Sequence, residues 1–220
     1  MENKMNYSGI IFDLDGTLLD TLQDLTNSVN HALSTCGYPI RTLLEIQNFV
    51  GNGVAKLIER AVPPNLTQVE YEHCLLLFRS HYMQHMYDTT KPYDGILSSL
   101  SELHADGYYL AVVSNKLDAA VCKLNELFFK EFISVAIGTP QDAKKPNPSC
   151  VFTAAKQLHL PISSCIYVGD SEVDIQTAKN ANIPCIGVAW GFRGRTYLEE
   201  HHADYVIDSP KELRQLLAKI

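Results

Sequence analysis

Short apolar runs bounded by turn residues recur along this chain. They are rich in Val, Ile and Tyr, and most of them do not alternate with polar residues. Such runs are typical of strands that are covered on both faces. The predicted strands span residues 8–12, 108–114, 133–137, 165–169, 184–189 and 205–207. Helical segments alternate with these strands from about residue 95 onward, which predicts an α/β fold with a doubly wound parallel sheet and right-handed crossovers.

Several helix ends in this part of the chain carry local signals. The helix predicted over 95–105 ends at Asp106-Gly107, a combination that commonly stops helices. Asn147 is predicted to cap a helix that has Pro148 at its first position. The sequence Ser209-Pro210-Lys211-Glu212 has the spacing of a capping box and predicts the start of the last helix.

The segment between the first two predicted strands has a different pattern, and we expect it to contain helices only. One face of its first helix is apolar, and a second capping box at 67–70 precedes a long helix that reaches about Met86. A block of roughly 70 helical residues is too long for a crossover connection. The sequence therefore predicts a core domain of residues 1–18 and 92–220 and an inserted helical domain of residues 19–91.

The composition narrows the classes of function. The chain has 220 residues, 46% of them hydrophobic, a net charge of −7 and no basic run, which argues against nucleic acid as a partner. Its six cysteines form no C-x-x-C pair, so we expect a reduced, cytoplasmic protein without a zinc knuckle. We see no signal peptide and no apolar stretch near the ~20 residues of a membrane span. The expected assembly is a monomer or a homodimer.

The first candidate for chemistry is Asp13-Leu14-Asp15-Gly16-Thr17, directly after the first predicted strand. Ligands of α/β proteins bind beyond the carboxyl ends of such strands. Asp13 could act there as a nucleophile or metal ligand, and Asp15 as a general acid or base. The same residues also suit a simple turn. A calcium-binding loop is disfavoured because the twelfth position is Asp24 instead of Glu and a strand, not a helix, precedes the motif.

Polar side chains also follow three later strands. A hydroxyl and an amide at 114–115 could bind phosphate oxygens or could cap the next helix. Two lysines at 144–145 precede a proline and could clamp a phosphate or lie in solvent. Asp170 and Asp174 lie four residues apart and would share one helical face. They could hold a cation or interact with the dipole of the helix N-terminus.

Together these strand ends resemble the four motifs of the haloacid dehalogenase superfamily of phosphatases, and the resemblance covers essentially the whole chain. The matching positions are Asp13-x-Asp15-x-Thr17, Ser114-Asn115, Lys145-Pro146 and Gly169-Asp170-Ser171-x-x-Asp174. The motif selects Lys145 over Lys144, and the helical insert resembles the cap of that superfamily. The chain departs from the pattern at Ser114, where Thr is common, at Asn182, where Gly is usual, and at Glu172, which adds a charge.

Within the superfamily the chain is most similar to phosphoglycolate phosphatases. The segments that carry this similarity are 49–53, 114–116 and 187–192. The resemblance implies a small phosphorylated metabolite as substrate. It also implies that the glycines of Gly51-Asn52-Gly53 allow backbone N–H groups to bind a substrate carboxylate. The alternative is that these glycines only form the turn between two cap helices.

The resemblance also implies a mechanism and a set of ligands. Mg²⁺ is expected to bind Asp13, the backbone carbonyl of Asp15, and Asp170, with Asp174 binding directly or supporting the site. Asp13 is expected to form an aspartyl-phosphate while Asp15 transfers the protons. The remaining roles are phosphate binding by Ser114 and Lys145 and orientation of the reacting groups by Thr17 and Asn115.

Other functions share these motifs. A sugar-phosphate mutase similar to beta-phosphoglucomutase, or a pyrophosphatase, would use the same residues, and a non-catalytic phosphate-binding protein is a further alternative. Arg193 and Arg195 follow the segment 187–192 and could reach the site, but we expect both of them to be solvated loop residues. The sequence therefore predicts the chemistry with more detail than the substrate.

Overall fold

A six-stranded parallel sheet forms the centre of the computed structural model, which describes residues 7–220. Its strands are β1 at Gly9–Phe12, β4 at Tyr109–Ser114, β5 at Ile133–Gly138, β6 at Cys165–Gly169, β7 at Cys185–Val188 and β8 at Tyr205–Ile207, while β2 and β3 form a separate small sheet. The strands stand in the order β5-β4-β1-β6-β7-β8, and each neighbouring pair is parallel. The order places β1 between β4 and β6, so the first motif lies at the middle of the sheet.

Helices cover both faces of the sheet, and this confirms the predicted fold class. They are α5 at Ile96–Ala105, α6 at Asp118–Phe128, α7 at Ser149–Gln157, α8 at Glu172–Asn180, α9 at Arg195–Glu200 and α10 at Lys211–Leu217. Ile10 and Phe12 pack into one hydrophobic cluster with α5, α6 and α10, whereas Ile11 packs into a second cluster with α7, α8 and α9. Because both faces of β1 are buried, its sequence has no polar alternation.

Two predicted helix starts differ in detail from the structure. Helix α7 has Pro148 as its N-cap, and Asn147 lies one residue earlier, where its Oδ1 accepts from Ser149 N at 2.9 Å. At α10 the N-cap is Pro210, and Ser209 Oγ donates to Glu212 at 2.9 Å. In both cases the predicted side chain makes a local hydrogen bond near the helix start, but the first helical turn begins one residue later than expected.

Four helices lie between β1 and α5. They are α1 at Leu22–Thr35, α2 at Leu43–Phe49, α3 at Val54–Ala61 and α4 at Gln68–His85. The predicted capping box is present at the start of α4, where Thr67 and Glu70 exchange hydrogen bonds. Thr42 and Glu45 form a second box at the start of α2. No helix within residues 7–220 is long and apolar enough to cross a membrane.

The expectation of helices only is wrong at the two ends of this segment. A short strand β2, Leu19–Asp20, pairs antiparallel with β3, Lys91–Pro92. A two-residue strand is too short to show a hydrophobic period, so the sequence does not reveal it. The two strands pair because the segment that leaves the sheet region and the segment that returns to it run side by side. The Asp24 carboxylate strengthens the same junction by accepting from the backbone and hydroxyl groups of Thr89 and Thr90 over 2.6–3.1 Å. Leu19 therefore lies opposite Pro92, and Asp20 lies opposite Lys91, so the two ends of the helical segment run side by side.

Candidate active site

The candidate active site lies beyond the carboxyl ends of β1, β4 and β6. Asp13 follows β1, Ser114 ends β4 and Asp170 follows β6, so the strand order brings together residues that are far apart in sequence. A cavity of about 50 Å³ opens between these strand ends and helices α1, α3 and α4. The sequence-predicted residues that line it are Asp13, Asp15, Gly51, Gly53, Ser114, Asn115, Lys145 and Asp170.

Three buried carboxylates form a cluster at the base of the site. Oxygen atoms of Asp13, Asp170 and Asp174 lie within 4.8 Å of one another. Burial raises the pKa of Asp13 to about 7, because the effect of burial and of Asp174 exceeds the opposing effect of Lys145. Burial, followed by the charges of Asp174 and Asp13, also raises the pKa of Asp170. A bound cation would relieve this repulsion, and an all-oxygen donor set suits a hard divalent ion such as Mg²⁺.

Two glycines allow this close approach of the carboxylates. A Cβ on Gly169 would lie 2.3 Å from Asp174 Cβ, and a Cβ on Gly16 would lie 2.3 Å from Asp170 Oδ2. Gly16 also has a φ of +81°, which glycine adopts without strain. Any side chain at either position would therefore push apart the turns that carry the cluster.

Lys145 lies at the centre of the buried charges. Its Nζ is 2.8 Å from Asp13 Oδ1, 2.7 Å from Asp174 Oδ1 and 3.1 Å from Tyr167 Oη. Burial disfavours its charge, but Asp13 and Asp174 raise the pKa of Lys145 well above its usual value. The ammonium is therefore held ionised beside Asp13. Lys144 points elsewhere, toward the start of α3 near Gly53.

Asp174 also fixes the turn after β6. Its Oδ2 accepts from Asp170 N at 3.2 Å, from Ser171 N at 3.1 Å and from Ser171 Oγ at 2.6 Å. Both of its oxygens therefore have protein donors, since Oδ1 accepts from Lys145. This arrangement favours the supporting role for Asp174 over direct binding of a metal, and it holds Asp170 in place.

Asp15 pairs with a lysine that the sequence analysis did not assign to the site. Lys116 Nζ lies 2.6 Å from Asp15 Oδ1 and 4.7 Å from the ring centroid of Tyr82. Lys116 is buried, and Asp15 raises the pKa of its ammonium against the opposing effect of burial. Lys116 follows the Ser114-Asn115 motif directly, so a signal for it was present. Tyr82 comes from the distant helix α4 and has no such signal.

Asn115 is the first of three residues that we expected at the substrate and that have protein partners instead. Asn115 Oδ1 accepts from Thr139 Oγ1 and Lys145 N, both at 2.8 Å, and Nδ2 donates to Gly51 O and Lys145 O, both at 3.1 Å. These bonds occupy all four hydrogen-bonding positions of the amide. Asn115 therefore connects the loop of Lys145 to the loop at residues 49–53 between α2 and α3, which we call the cap loop. Its side chain has no hydrogen-bonding position left for a ligand.

The structure also corrects the expected positions of Thr17 and Asn52. Thr17 is fully buried outside the lining of the cavity, and its carbonyl accepts from Trp190 Nε1 at 3.0 Å. Asn52 Oδ1 accepts from Arg60 at 2.8 Å, and Asn52 does not line the cavity either. The turn after β1 places Thr17 in the core, and the Asn52 side chain bonds to Arg60 of α3. The expected contact through the backbone of this loop stays a prediction.

Arg193 lines the cavity, so of the two alternatives it reaches the site and is not a solvated loop residue. It donates to Gln47 O and Val50 O, both at 2.9 Å, while Gln47 Nε2 donates to Phe192 O at 2.7 Å. Together with Asn115, these contacts tie the cap loop to the core from two sides. Arg195 is partly exposed and pairs with Asp208 and Glu199, as expected of a solvated residue, but it begins helix α9 and does not lie in a loop.

Comparison with known proteins agrees with this geometry. Residues 10–188 match the family model of the haloacid dehalogenase-like hydrolases. The chain belongs to this family. The family match confirms the resemblance seen in the sequence and the expectation that the chain is an enzyme of this superfamily.

Relatives of this hydrolase include proteins named phosphoglycolate phosphatase. One from Vibrio parahaemolyticus is 33% identical over 217 residues, which is 95% of each chain. One from Pseudomonas savastanoi pv. phaseolicola is 35% identical over 93% of this chain and 77% of its own length. A crystal structure from Lactobacillus delbrueckii subsp. bulgaricus, provisionally named phosphoglycolate phosphatase, has 35% identity and a TM-score of 0.90. That likeness covers 97% of this chain and 99% of the other.

Proposed function

We propose that this hydrolase releases phosphate from small carboxylated phosphomonoesters, with 2-phosphoglycolate as the leading candidate. The observation that carries the proposal is a cavity in which Asp13, Asp15, Ser114 and Lys145 converge. The relatives named phosphoglycolate phosphatase support the choice of substrate.

The first step uses Asp13 as the nucleophile. A carboxylate oxygen of Asp13 attacks phosphorus, the bond from phosphorus to the ester oxygen breaks, and an aspartyl-phosphate forms. Two negatively charged groups must meet in this step, so catalysis depends on charge neutralisation and in-line positioning. Lys145, 2.8 Å from Asp13, is placed to provide part of that neutralisation, and the Ser114 hydroxyl is placed to bind a phosphate oxygen.

The carboxylate cluster would hold the metal. Asp13, Asp170 and the backbone carbonyl of Asp15 are the proposed ligands, and Asp174 supports them through the turn that it caps. Bound Mg²⁺ would neutralise the charge that Asp13 and the phosphate bring together. The hydrogen bonds of Asp174 keep Asp170 directed toward Asp13, so the site is arranged before a ligand enters.

Asp15 is the proposed general acid and base. It protonates the leaving alkoxide in the first step and removes a proton from water when the aspartyl-phosphate is hydrolysed. Both side chains are largely buried, with 14% of Asp15 and 12% of Asp13 exposed. Asp15 pairs with Lys116, which lies over the Tyr82 ring of α4, so we expect the leaving group on the side of the site that faces α4.

Residues 19–91 act in this proposal as a cap that closes over the site and excludes bulk water. The closed position is supported by the bonds from Arg193 and Asn115 to the cap loop. The cavity of about 50 Å³ is the space open to the centres of water molecules, and one water needs about 10–15 Å³ by that measure. The cavity therefore has room for several water molecules, and we expect a small substrate to fit it.

The role of Asp15 gives a prediction about leaving groups. Asp15→Asn is expected to slow formation of the aspartyl-phosphate at least ~10-fold more for an alkyl phosphate than for an activated aryl phosphate, because a good leaving group needs less protonation. A pre-steady-state burst of leaving-group release measures this step. Glu102→Gln, at an exposed position on α5, is a control. Equal slowing of both bursts would rule out general acid catalysis by Asp15.

The substrate proposal is tested by comparing kcat/KM for 2-phosphoglycolate, ethyl phosphate, glucose 6-phosphate and pyrophosphate. We expect phosphoglycolate to exceed ethyl phosphate by ~10-fold or more, which corresponds to about 1.4 kcal/mol of transition-state binding. Fastest turnover of pyrophosphate would favour a pyrophosphatase. Isomerised sugar phosphate without released phosphate would favour a mutase. Either result would reject the proposed substrate class.

A further inference from the structure

Three cationic side chains line the cavity, and they differ in how many of their donors already have partners. Lys145 donates to Asp174 and Tyr167 and forms an ion pair with Asp13, so three protein groups already surround its ammonium. Arg193 donates to two carbonyl groups of the cap segment and lies 3.5 Å from Glu172. Lys116 has one carboxylate partner in the described chain, Asp15. Lys116 and Arg193 therefore both keep N–H donors for a ligand, and of the two it is Lys116 that pairs with Asp15 in the described residues.

The hydroxyl of Tyr82 is a second polar group in the cavity, and the Lys116 ammonium faces it. Tyr82 is fully buried, lines the cavity, and makes no hydrogen bond of good geometry through Oη within residues 7–220. Lys116 Nζ lies 4.7 Å from the centroid of its ring. A buried hydroxyl without a partner is unfavourable, so such groups are uncommon unless a ligand or water completes them. The O–H of Tyr82 is thus available to donate to a ligand next to Lys116.

We propose that Lys116 Nζ and Tyr82 Oη bind the carboxylate of the substrate and so determine its specificity. This inference rests on the proposed function and deepens it. Asp15 must reach the ester oxygen to protonate it, and Lys116 Nζ is 2.6 Å from Asp15. In phosphoglycolate a single methylene separates that oxygen from the carboxylate. When the ester oxygen lies against Asp15, the carboxylate one methylene away would therefore lie beside Lys116.

The pair also joins the two parts of the chain. Lys116 follows β4 in the core, whereas Tyr82 belongs to α4 of the cap. A carboxylate that accepts from both would bind best when the cap is closed. A phosphomonoester without a carboxylate leaves Tyr82 Oη without a partner and gains no contact with the cap at this point. Cap closure would then favour substrates that carry a carboxylate over phosphomonoesters that lack one.

The rival location for the carboxylate is the start of α3, where Gly53 and Val54 also line the cavity. The variant Tyr82→Phe distinguishes the two locations, because it removes only the hydroxyl of Tyr82 and keeps the ring against Lys116. The measurement is the ratio of kcat/KM for 2-phosphoglycolate to kcat/KM for ethyl phosphate. We expect Tyr82→Phe to narrow this ratio about 10-fold. Tyr71→Phe is the matched control, because Tyr71 lies on the same helix and donates to Ala55 O.

Lys116→Gln gives a second test with a different side chain. We expect it to narrow the same ratio by ~30-fold or more, since a charged donor contributes more than a neutral one. Far-ultraviolet circular dichroism of each variant verifies that the fold is retained. Tyr82→Phe also serves if Lys116→Gln is unstable, because it keeps the pair of Lys116 with Asp15.

The outcomes separate this inference from the proposed function. If the wild-type protein prefers phosphoglycolate and the variants slow both substrates equally, the carboxylate binds elsewhere and the inference is wrong while the function stands. If the wild-type protein shows no preference for phosphoglycolate over ethyl phosphate, the proposed substrate class fails and the inference fails with it. A ratio that narrows in both variants and not in Tyr71→Phe supports the assignment.

Discussion

Asp13→Asn is expected to reduce steady-state phosphate release by about 10⁴-fold or more, because the amide cannot attack phosphorus and is a poorer metal ligand. The measurement is multiple-turnover phosphate release from the best substrate at saturating Mg²⁺. Asp94→Asn, an exposed position before α5, is a control for the same change in charge and should keep wild-type activity. Release by Asp13→Asn at a rate near that of the wild type would exclude the covalent mechanism.

The same substitution should leave the fold intact. Burial raises the pKa of Asp13 to about 7, which means that its charged form is unfavourable in the metal-free protein. Asn has nearly the same shape and removes this charge, and Lys145 keeps Asp174 as a partner. We therefore expect the thermal midpoint of metal-free Asp13→Asn to equal or exceed that of the wild type at pH 8. A large loss of stability would show that lost activity reflects unfolding.

Removal of divalent metal is expected to abolish activity, with restoration by Mg²⁺ and not by Ca²⁺. The cluster of Asp13, Asp170 and Asp174 offers only oxygen donors, which suits both ions, but Mg²⁺ requires shorter and more regular octahedral coordination. The larger shell of Ca²⁺ would displace the Asp13 oxygen from its line of attack. A loss of at least ~10³-fold is expected, given that charge neutralisation dominates phosphoryl transfer.

The measurement is initial rate in excess chelator, followed by titration with each ion. Magnesium added beyond the chelator should restore the full rate, which controls for damage to the protein. Asp170→Asn should weaken the apparent affinity for Mg²⁺, whereas Asp208→Asn, at the surface beside Arg195, should not. Unchanged activity in excess chelator would remove the metal from the mechanism.

Much of the core fold could be read from the sequence because its signals are local. Strands β6 and β8 span the predicted residues, since apolar runs between turn residues mark a strand that is buried on both faces. The capping box at Thr67 marks the start of α4 in the same way. Strand ends in a parallel sheet meet at one edge, so Asp13, Ser114 and Asp170 could be grouped before any coordinates were known.

The partners of the site residues could not be read in this way. Thr17 and Asn115 carry the right chemistry for substrate contact, but the first is buried in the core and the second uses its whole amide to connect two loops. Arg193 resembles a solvated residue in sequence, yet it lines the cavity and holds the cap loop. A side chain's hydrogen-bond partners depend on distant segments, and no periodicity encodes them.

The sequence by itself therefore determined the fold class and the strand-end carboxylates, because each depends on neighbours within a few residues, and the resemblance to the superfamily selected Lys145. Only the tertiary structure decided that Lys116 pairs with Asp15 and that Tyr82 closes the cavity beside it. The pairing of the two-residue strands β2 and β3 also became visible only in the tertiary structure. These features arise where the cap meets the core, and contacts between segments far apart in the chain become definite only when both parts are packed together.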